Sequence, residues 1–328
     1  MLEVFAVDVV QIRRQTPLRY SDGPDPGLDR PAHVRAASGV AWAETARGPR
    51  LCVCQDDANF LALVDPRTGR VDSLPLPAGR GGRRQFDVGR ANKRDKHDLE
   101  SACVVPTAAG DRLWLVGSGS KPVREVLVEI DLIGGGGIRR ESTAGFCAVL
   151  REHALLRGAE LNLEGVCVAG EDFVVFQRGN GVGARNAVIR VALDELQALV
   201  AGRPRGLASL RVDLLPLPAF EGVALTFTDA CPLDPGRLLF LAAAEASPNA
   251  IDDGSVHASA LGVLSLSPRP VVDRLWPILE QDGQPSRRKA EGICRDPKRA
   301  TTAYFVVDCD DPTAASDLLE VDLPVGLA

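Results

Sequence analysis

The chain has 328 residues, 45% of them hydrophobic and 25% charged, the balance of a globular protein with ample core. A net charge of -6 gives no bias toward nucleic acid or anionic membranes, and no apolar run of about 18 residues offers a transmembrane helix. The first residues carry acids where a signal peptide needs cations, so the expected compartment is the cytoplasm.

In chain order, residues 2–10 read as a strand and 17–31 as a Pro/Gly/Asp-rich loop. A motif then recurs. Ala37-Ser38-Gly39-Val40 is followed by Leu99-Glu100-Ser101-Ala102, Leu163-Glu164-Gly165-Val166, Phe227-Thr228-Asp229-Ala230 and Ala290-Glu291-Gly292-Ile293. The focal residues Ser38, Glu100, Glu164, Thr228 and Glu291 are spaced by 62, 64, 64 and 63 residues. A fixed period decides architecture before any local propensity does.

Each period reads as short β-rich runs bounded by turn residues. The first holds runs near 39–42, 51–54, 60–64 and 71–76; the second near 102–105, 113–116, 125–130 and 138–150. The third holds runs near 166–168, 173–176, 187–191 and 210–217, with a helical turn expected at 194–200. The fourth and fifth have second strands near 238–241 and 304–307. Four strands per period of this length is the signature of a β-propeller blade. The prediction is one all-β domain over residues 1–328, a five-bladed propeller. After Glu291 only three strands fit, near 292–294, 304–307 and 318–321, so the N-terminal strand is expected to complete the last blade.

Eight cysteines raise the question of disulfides or zinc. Cys103, Cys167, Cys231 and Cys294 each follow a focal residue by three, where the first copy has Ala41. A repeated demand for a small apolar side chain explains them as packing thiols.

In a propeller the first strand of each blade lines the axis, so the five focal residues should form a ring. Three carboxylates ~5 Å apart repel by about 3 kcal/mol per pair at an effective dielectric of ~20. Either protons are taken up or a cation sits between them. The bland alternative is that the Glu side chains cap backbone N–H groups and water fills the channel. The ring offers only oxygen, which selects Ca²⁺, with Mg²⁺ second, over zinc or copper.

The exits of the second strands (residues 55–57, 117–121, 177–180, 245–249 and 308–311) should border the mouth. Lys121, Arg178, Arg288 and Lys289 are the candidate anion-binding residues, and Asp57 and Asp310 the candidates for activating water. The basic loop 80–96 reads as a solvated loop between repeats or, because it runs directly into Glu100, as an anion-attracting rim. The expected partner is a small anionic substrate or ligand.

The Leu-Glu-Gly and Ala-Glu-Gly repeats at blade starts resemble bacterial phytase-like propeller proteins. The pattern of Ser, Glu, Glu, hydroxyl and Glu is similar to that of the soluble calcium-activated nucleotidases, or apyrases. The resemblance spans all the repeats through short motifs. It implies a five-bladed propeller with one axial calcium held at Ser38, Glu100, Glu164, Thr228 and Glu291, where Thr228 replaces the family's Ser. The function expected is calcium-dependent hydrolysis of a phosphate ester or anhydride. A non-catalytic propeller with a structural calcium is the alternative, and a lactonase or sugar-active enzyme the third reading.

Overall fold

The computed structural model describes residues 9–134, 137–180, 183, 185–203, 206–246, 254–324 and 326–327. Runs rich in Val, Leu, Phe and Ala, interrupted by turn residues, form β1 (Val10–Pro17), β2 (Ala37–Thr45), β3 (Gly48–Gln55), β4 (Phe60–Val64) and β5 (Val71–Pro75). The next repeat gives β6 (Leu99–Val105), β7 (Arg112–Gly117), β8 (Val126–Ile130), β9 (Ile138–Ser142) and the helix α1 (Ala144–Glu152). It is followed by β10 (Leu163–Ala169), β11 (Asp172–Gln177), β12 (Ala187–Ala192), α2 (Leu193–Val200) and β13 (Arg211–Leu214). The remainder comprises β14 (Ala219–Phe220), β15 (Val223–Asp234), β16 (Arg237–Glu245), β17 (Val256–Ser265), β18 (Val271–Leu279), β19 (Lys289–Arg295), β20 (Thr302–Asp308) and β21 (Asp317–Asp322).

The architecture is all-β and propeller-like. β2 to β5, β6 to β9 and β10 to β13 are four-stranded antiparallel sheets in sequence order. A nine-stranded sheet holds β14 to β18, then β1, β21, β20 and β19. β1 pairs antiparallel with β21 and touches β18 in parallel only at Val10–Ile278 and Gln11–Leu279. The first strands contact one another in a closed cycle, β2 to β6, β10, β15, β19 and back to β2.

The apolar core is divided in the same way. One cluster joins Leu61 and Cys54 to Leu99 and Leu115, and the next joins Trp114 and Val116 to Val175 and Ile189. A third joins Phe176 to Phe227 and Phe240, and a fourth joins Leu241 and Leu261 to Phe305 and Val321. The last joins Tyr304 and Val306 to Leu51 and Val53. The inner strands of the sheets are therefore buried on both faces, which is why they read as continuous apolar runs, whereas outer strands such as β9 and β18 stay largely exposed or half-buried.

The repeated motif has a common backbone cause. Pairing between first and second strands shifts register at Ala37/Gly39, Leu99/Ser101, Leu163/Gly165, Phe227/Asp229 and Ala290/Gly292. The unpaired residue in each is the focal one: Ser38, Glu100, Glu164, Thr228 and Glu291. A bulge re-aims one side chain without ending the strand. The residue after the bulge is then pressed against the next first strand. A Cβ on Gly39 would lie 2.7 Å from the Ser101 Cα, one on Gly165 2.8 Å from the Asp229 Cα, and one on Gly292 2.8 Å from the Gly39 Cα. Glycine at these positions is a packing requirement.

The structure departs from the sequence expectations in two places. Residues 138–150 are not one long strand: β9 ends at Ser142 and α1 follows. Phe146, Cys147 and Leu150 give α1 an apolar face that packs with Leu196 of α2, the helix the sequence did show. The described N-terminal strand is Val10–Pro17; residues 2–8 of the expected strand lie outside the described residues. Only Val10, Ile12 and the half-buried Thr16 of β1 turn inward, so its pattern is too polar to read as a strand. Cys103, Cys167, Cys231 and Cys294, with Ala41, line a second cavity of 220 Å³ on the axis. All four are buried free thiols. No helix among the described residues is long and apolar enough to cross a membrane.

Gly165→Ala tests the close approach. The added methyl meets backbone of β15, which cannot rotate away, so a loss of about 1–3 kcal/mol and a lower thermal midpoint are expected. Gly206→Ala, with open space around it, should be close to neutral in the same melt.

Candidate functional site

The bulges of β2, β6, β10 and β19 and the exits of β3, β11, β16 and β20 open on one cavity of 700 Å³. Ser38, Glu100, Glu164 and Glu291 all line it. The three glutamates converge: one carboxylate oxygen of each lies within 4.8 Å of the others. All three side chains are buried. The Oε2 of Glu164 is buried without a hydrogen-bond partner, and no donor or cation among the described residues pairs with Glu100. No backbone N–H among the described residues caps any of the three.

The two hydroxyl copies behave differently. Ser38 Oγ donates to the Leu99 carbonyl, and Thr228 Oγ1 donates to the Ala290 carbonyl at 2.7 Å. Each hydroxyl holds the residue just before a glutamate on the next first strand. Ser38 still faces the cavity, whereas Thr228 is fully buried and does not line it. The expected ring of five is thus three carboxylates and one hydroxyl at the cavity, with Thr228 acting as a staple between strands.

Around this floor the chain supplies its own cations. Arg178 reaches Glu164 at 3.4 Å and Glu291 at 3.7 Å, pairs with Glu245, and donates from Nε to Thr226 Oγ1 at 3.2 Å. Lys289 lies 3.4 Å from Glu291 and 3.6 Å from Asp310. Asn162 donates to Glu164 Oε1 at 2.6 Å. A second acidic group, Asp56, Asp98 and Glu100, shares Glu100 with the first. Lys96 stands against Asp56 and Asp98, both at 2.6 Å, and Arg124 pairs with Asp98 at 2.7 Å. Asp98 adopts a left-handed backbone, φ 57°, where the chain turns into β6.

The other expected residues divide. Arg178, Lys289, Asp57 and Asp310 line the cavity; Lys121 and Arg288 do not. Lys121 begins the short turn Pro122–Arg124, and it is Arg124 from that turn that points inward. Arg288 faces away, pairing with Glu280 at 2.9 Å and Asp317 at 3.3 Å. Arg178 is saturated by carboxylates rather than open to an anion. The basic loop does form a rim, contributing Phe86, Val88, Arg90, Lys93 and Lys96. Residues 247–249 of the fourth exit lie outside the described residues. Sequence reasoning missed Asp98, Asn162 and Thr226. The signal was the position two before each focal residue, which is polar in four of the copies: Asp98, Asn162, Thr226 and Lys289.

Twelve Asp and Glu face eight Lys and Arg on the cavity lining, so the lining stays formally negative. Burial, then the neighbouring Asp98 and Glu164, push the Glu100 carboxyl well above its ordinary range. Burial also raises Glu164 despite Arg178, and lifts Glu291 to about 8 despite Lys289 and Arg178. Asp57 is raised to about 7 by burial and Asp56; Arg35 opposes the rise with a 2.6 Å contact to Oδ2, while Oδ1 is buried without a partner. A hard divalent cation fits this donor set: clustered carboxylate oxygens, orphaned acceptors and surplus negative charge.

The chain belongs to a family of unknown function, DUF6929, whose model matches residues 33–323. No curated protein matches it. Among solved structures, a luciferin-regenerating enzyme is similar at 9% identity over 88% of this chain and 92% of that one, with a TM-score of 0.44. A gluconolactonase from Xanthomonas campestris is similar at 12% identity over 89% and 74%, TM-score 0.40. The WD40 repeats of RRP9 are similar at 8% identity over 94% and 100%, TM-score 0.41.

Raised carboxyl groups fix the sign of a pH dependence. Protons held by Glu291 stabilise the cation-free fold fully below its unfolded range, and that stabilisation is lost as pH rises through about 8. A cation displaces those protons, so its affinity should climb over the same window and its binding should release protons. Calcium titration calorimetry at about pH 6 and about pH 8, in buffers of different ionisation enthalpy, reads both effects. An affinity that is flat across the window, with no proton release, would contradict cation binding at the trio.

Proposed function

We propose that the chain is a five-bladed β-propeller, its last blade completed by β1, that binds calcium at Glu100, Glu164 and Glu291 beside Ser38. We infer that it uses this centre to hydrolyse a small phosphate ester or anhydride, such as a nucleotide or sugar phosphate. The observation that carries the reading is the convergence of three glutamates from separate repeats with unpartnered oxygens at a cavity floor. The cyclic contacts of the first strands support the blade count. The likeness of the repeat pattern to the calcium-activated nucleotidases agrees with it.

A bound calcium would polarise a phosphoryl oxygen and offset the charge that develops there. Arg178 and Lys289 hold Glu164 and Glu291 in place. Lys93, at the cavity mouth and only partly buried, can meet an incoming anion. Asp57 has an orphaned Oδ1 on the cavity wall and a carboxyl poised near neutrality, which suits proton transfer from water. Arg35 fixes the orientation of Asp57 through Oδ2. Asp310 stands at the mouth beside Lys289 and is the second candidate.

The reading predicts that Ca²⁺ raises the thermal midpoint of the chelated protein, by about 2.7 kcal/mol of stabilisation at 100 times the dissociation constant. Glu164→Gln should lose that response together with turnover of a chromogenic phosphate or nucleotide. Wild-type turnover should rise with pH through about 7 as Asp57 ionises, and Asp57→Asn should reduce it by about 10²–10⁴-fold. A non-catalytic ligand-binding propeller with a structural calcium is the second reading. It is favoured by the pairing of Arg35, Lys96, Arg124 and Arg178 with carboxylates, which leaves few cations for an anion. Calcium-dependent stabilisation with no turnover across a broad phosphate panel would select it.

A further inference from the structure

The cavity floor contains two carboxylate groups, not one. The inner group is Glu100, Glu164 and Glu291; the outer is Asp56, Asp98 and Glu100. The outer group already holds a cation. Lys96 Nζ stands 2.6 Å from Asp56 Oδ2 and 2.6 Å from Asp98 Oδ1, and its side chain is 8% exposed. Glu100, 7% exposed and without a partner among the described residues, belongs to both groups. A carboxylate shared by two acidic groups, one of them already neutralised by an ammonium, suits a two-ion site in which a lysine replaces one ion.

We propose that Lys96 is a built-in cation occupying the second ion position of the floor, so that the centre is a mixed pair of one exchangeable divalent ion and one fixed ammonium, with Glu100 common to both carboxylate groups. Lys96 reaches its place because the basic loop turns inward just before β6. Its ammonium donates to Asp56 Oδ2 and is ion-paired with Asp98 Oδ1. With three N–H donors it can still meet an oxygen of whatever anion enters the cavity. Lys96 thereby holds ion uptake at one and gives the ligand a fixed donor beside the exchangeable ion. The inner position rests on the calcium reading above; the outer one does not.

The test is the number of Ca²⁺ ions bound per chain, counted by equilibrium dialysis on wild type, Lys96→Met and Lys96→Met with Asp56→Asn. Lys96→Met should bind one ion more than wild type, and the added Asp56→Asn should remove that extra ion. An unchanged or lower count in Lys96→Met overturns the proposal. If wild type binds none, the calcium reading fails, while a gain of one in Lys96→Met still places Lys96 in an ion position. Should Lys96→Met unfold in chelator, recovery of the fold on adding Ca²⁺ supports the proposal. A variant that stays unfolded in millimolar Ca²⁺ overturns it, because an ion at that position would satisfy Asp56 and Asp98.

Discussion

The structure depends on how closely its first strands approach the axis. At the position after three of the five bulges, Gly39, Gly165 and Gly292, backbone from a neighbouring repeat lies within 3 Å of where a Cβ would stand. At these three places the strands leave no room for a side chain, whereas the other two repeats carry Ser101 and Asp229 there. The chain meets this with a bulge one residue earlier, which turns Ser38, Glu100, Glu164 and Glu291 toward the mouth. Packing and chemistry thus share one local device. The glycine makes the contact between strands, and the residue before it lines the site.

That device concentrates charge. At a separation of 4.8 Å and an effective dielectric of ~20, each glutamate pair repels by about 3 kcal/mol. The fold answers by importing cations from the second-strand exits and the basic loop. Arg178 comes from the end of β11, Lys289 from the start of β19, Lys96 and Arg124 from the loops around β6 and β7. Buried pairs of this kind are tightly interdependent, because removing one partner leaves an uncompensated charge at a cost of about 3–5 kcal/mol. Glu100 is the exception: it is near Lys96 yet pairs with no cation among the described residues. Its carboxyl is raised well above its ordinary range because the charges it senses most strongly after burial, Asp98 and Glu164, are negative. It is the residue whose ionisation a bound cation would change most.

The period of the repeat made the all-β propeller-like fold and the convergence of Glu100, Glu164 and Glu291 readable, since one position in equivalent strands must meet its copies near an axis. What the period does not carry was harder to read. Lys121 and Arg124 lie three residues apart in one loop, and only the turn at Pro122 decides which faces the cavity. Arg288 and Lys289 are adjacent, and the start of β19 sends them to opposite sides. β1 presents two apolar residues to the core, too few for a period-two signal. Helix α1 begins directly after an edge strand, so its apolar face merged with that strand in the sequence. Loop direction and edge strands are set by tertiary packing, and a repeat fixes neither.

The asymmetry of the ring has its own physical sense. Five glutamates would make ten repelling pairs where three make three, raising the cost at ~3 kcal/mol per pair from about 10 to about 30 kcal/mol. Two positions therefore carry hydroxyls. Both Ser38 and Thr228 donate to the carbonyl that precedes a glutamate on the following strand. They tie Leu99 and Ala290, the residues before Glu100 and Glu291, to their neighbours, and so fix where two of the three carboxylates stand. The fourth repeat goes further. Asp229 takes the place of the glycine, and its Oδ2 accepts from the Ile293 N–H at 2.8 Å on the next first strand. A repeat that gives no carboxylate to the mouth instead spends both its hydroxyl and its carboxylate on holding Glu291 in register. Replacing glutamate by a hydroxyl in two copies of the motif limits the carboxylates that the motif brings to the cavity floor to three and stiffens the strands that carry them.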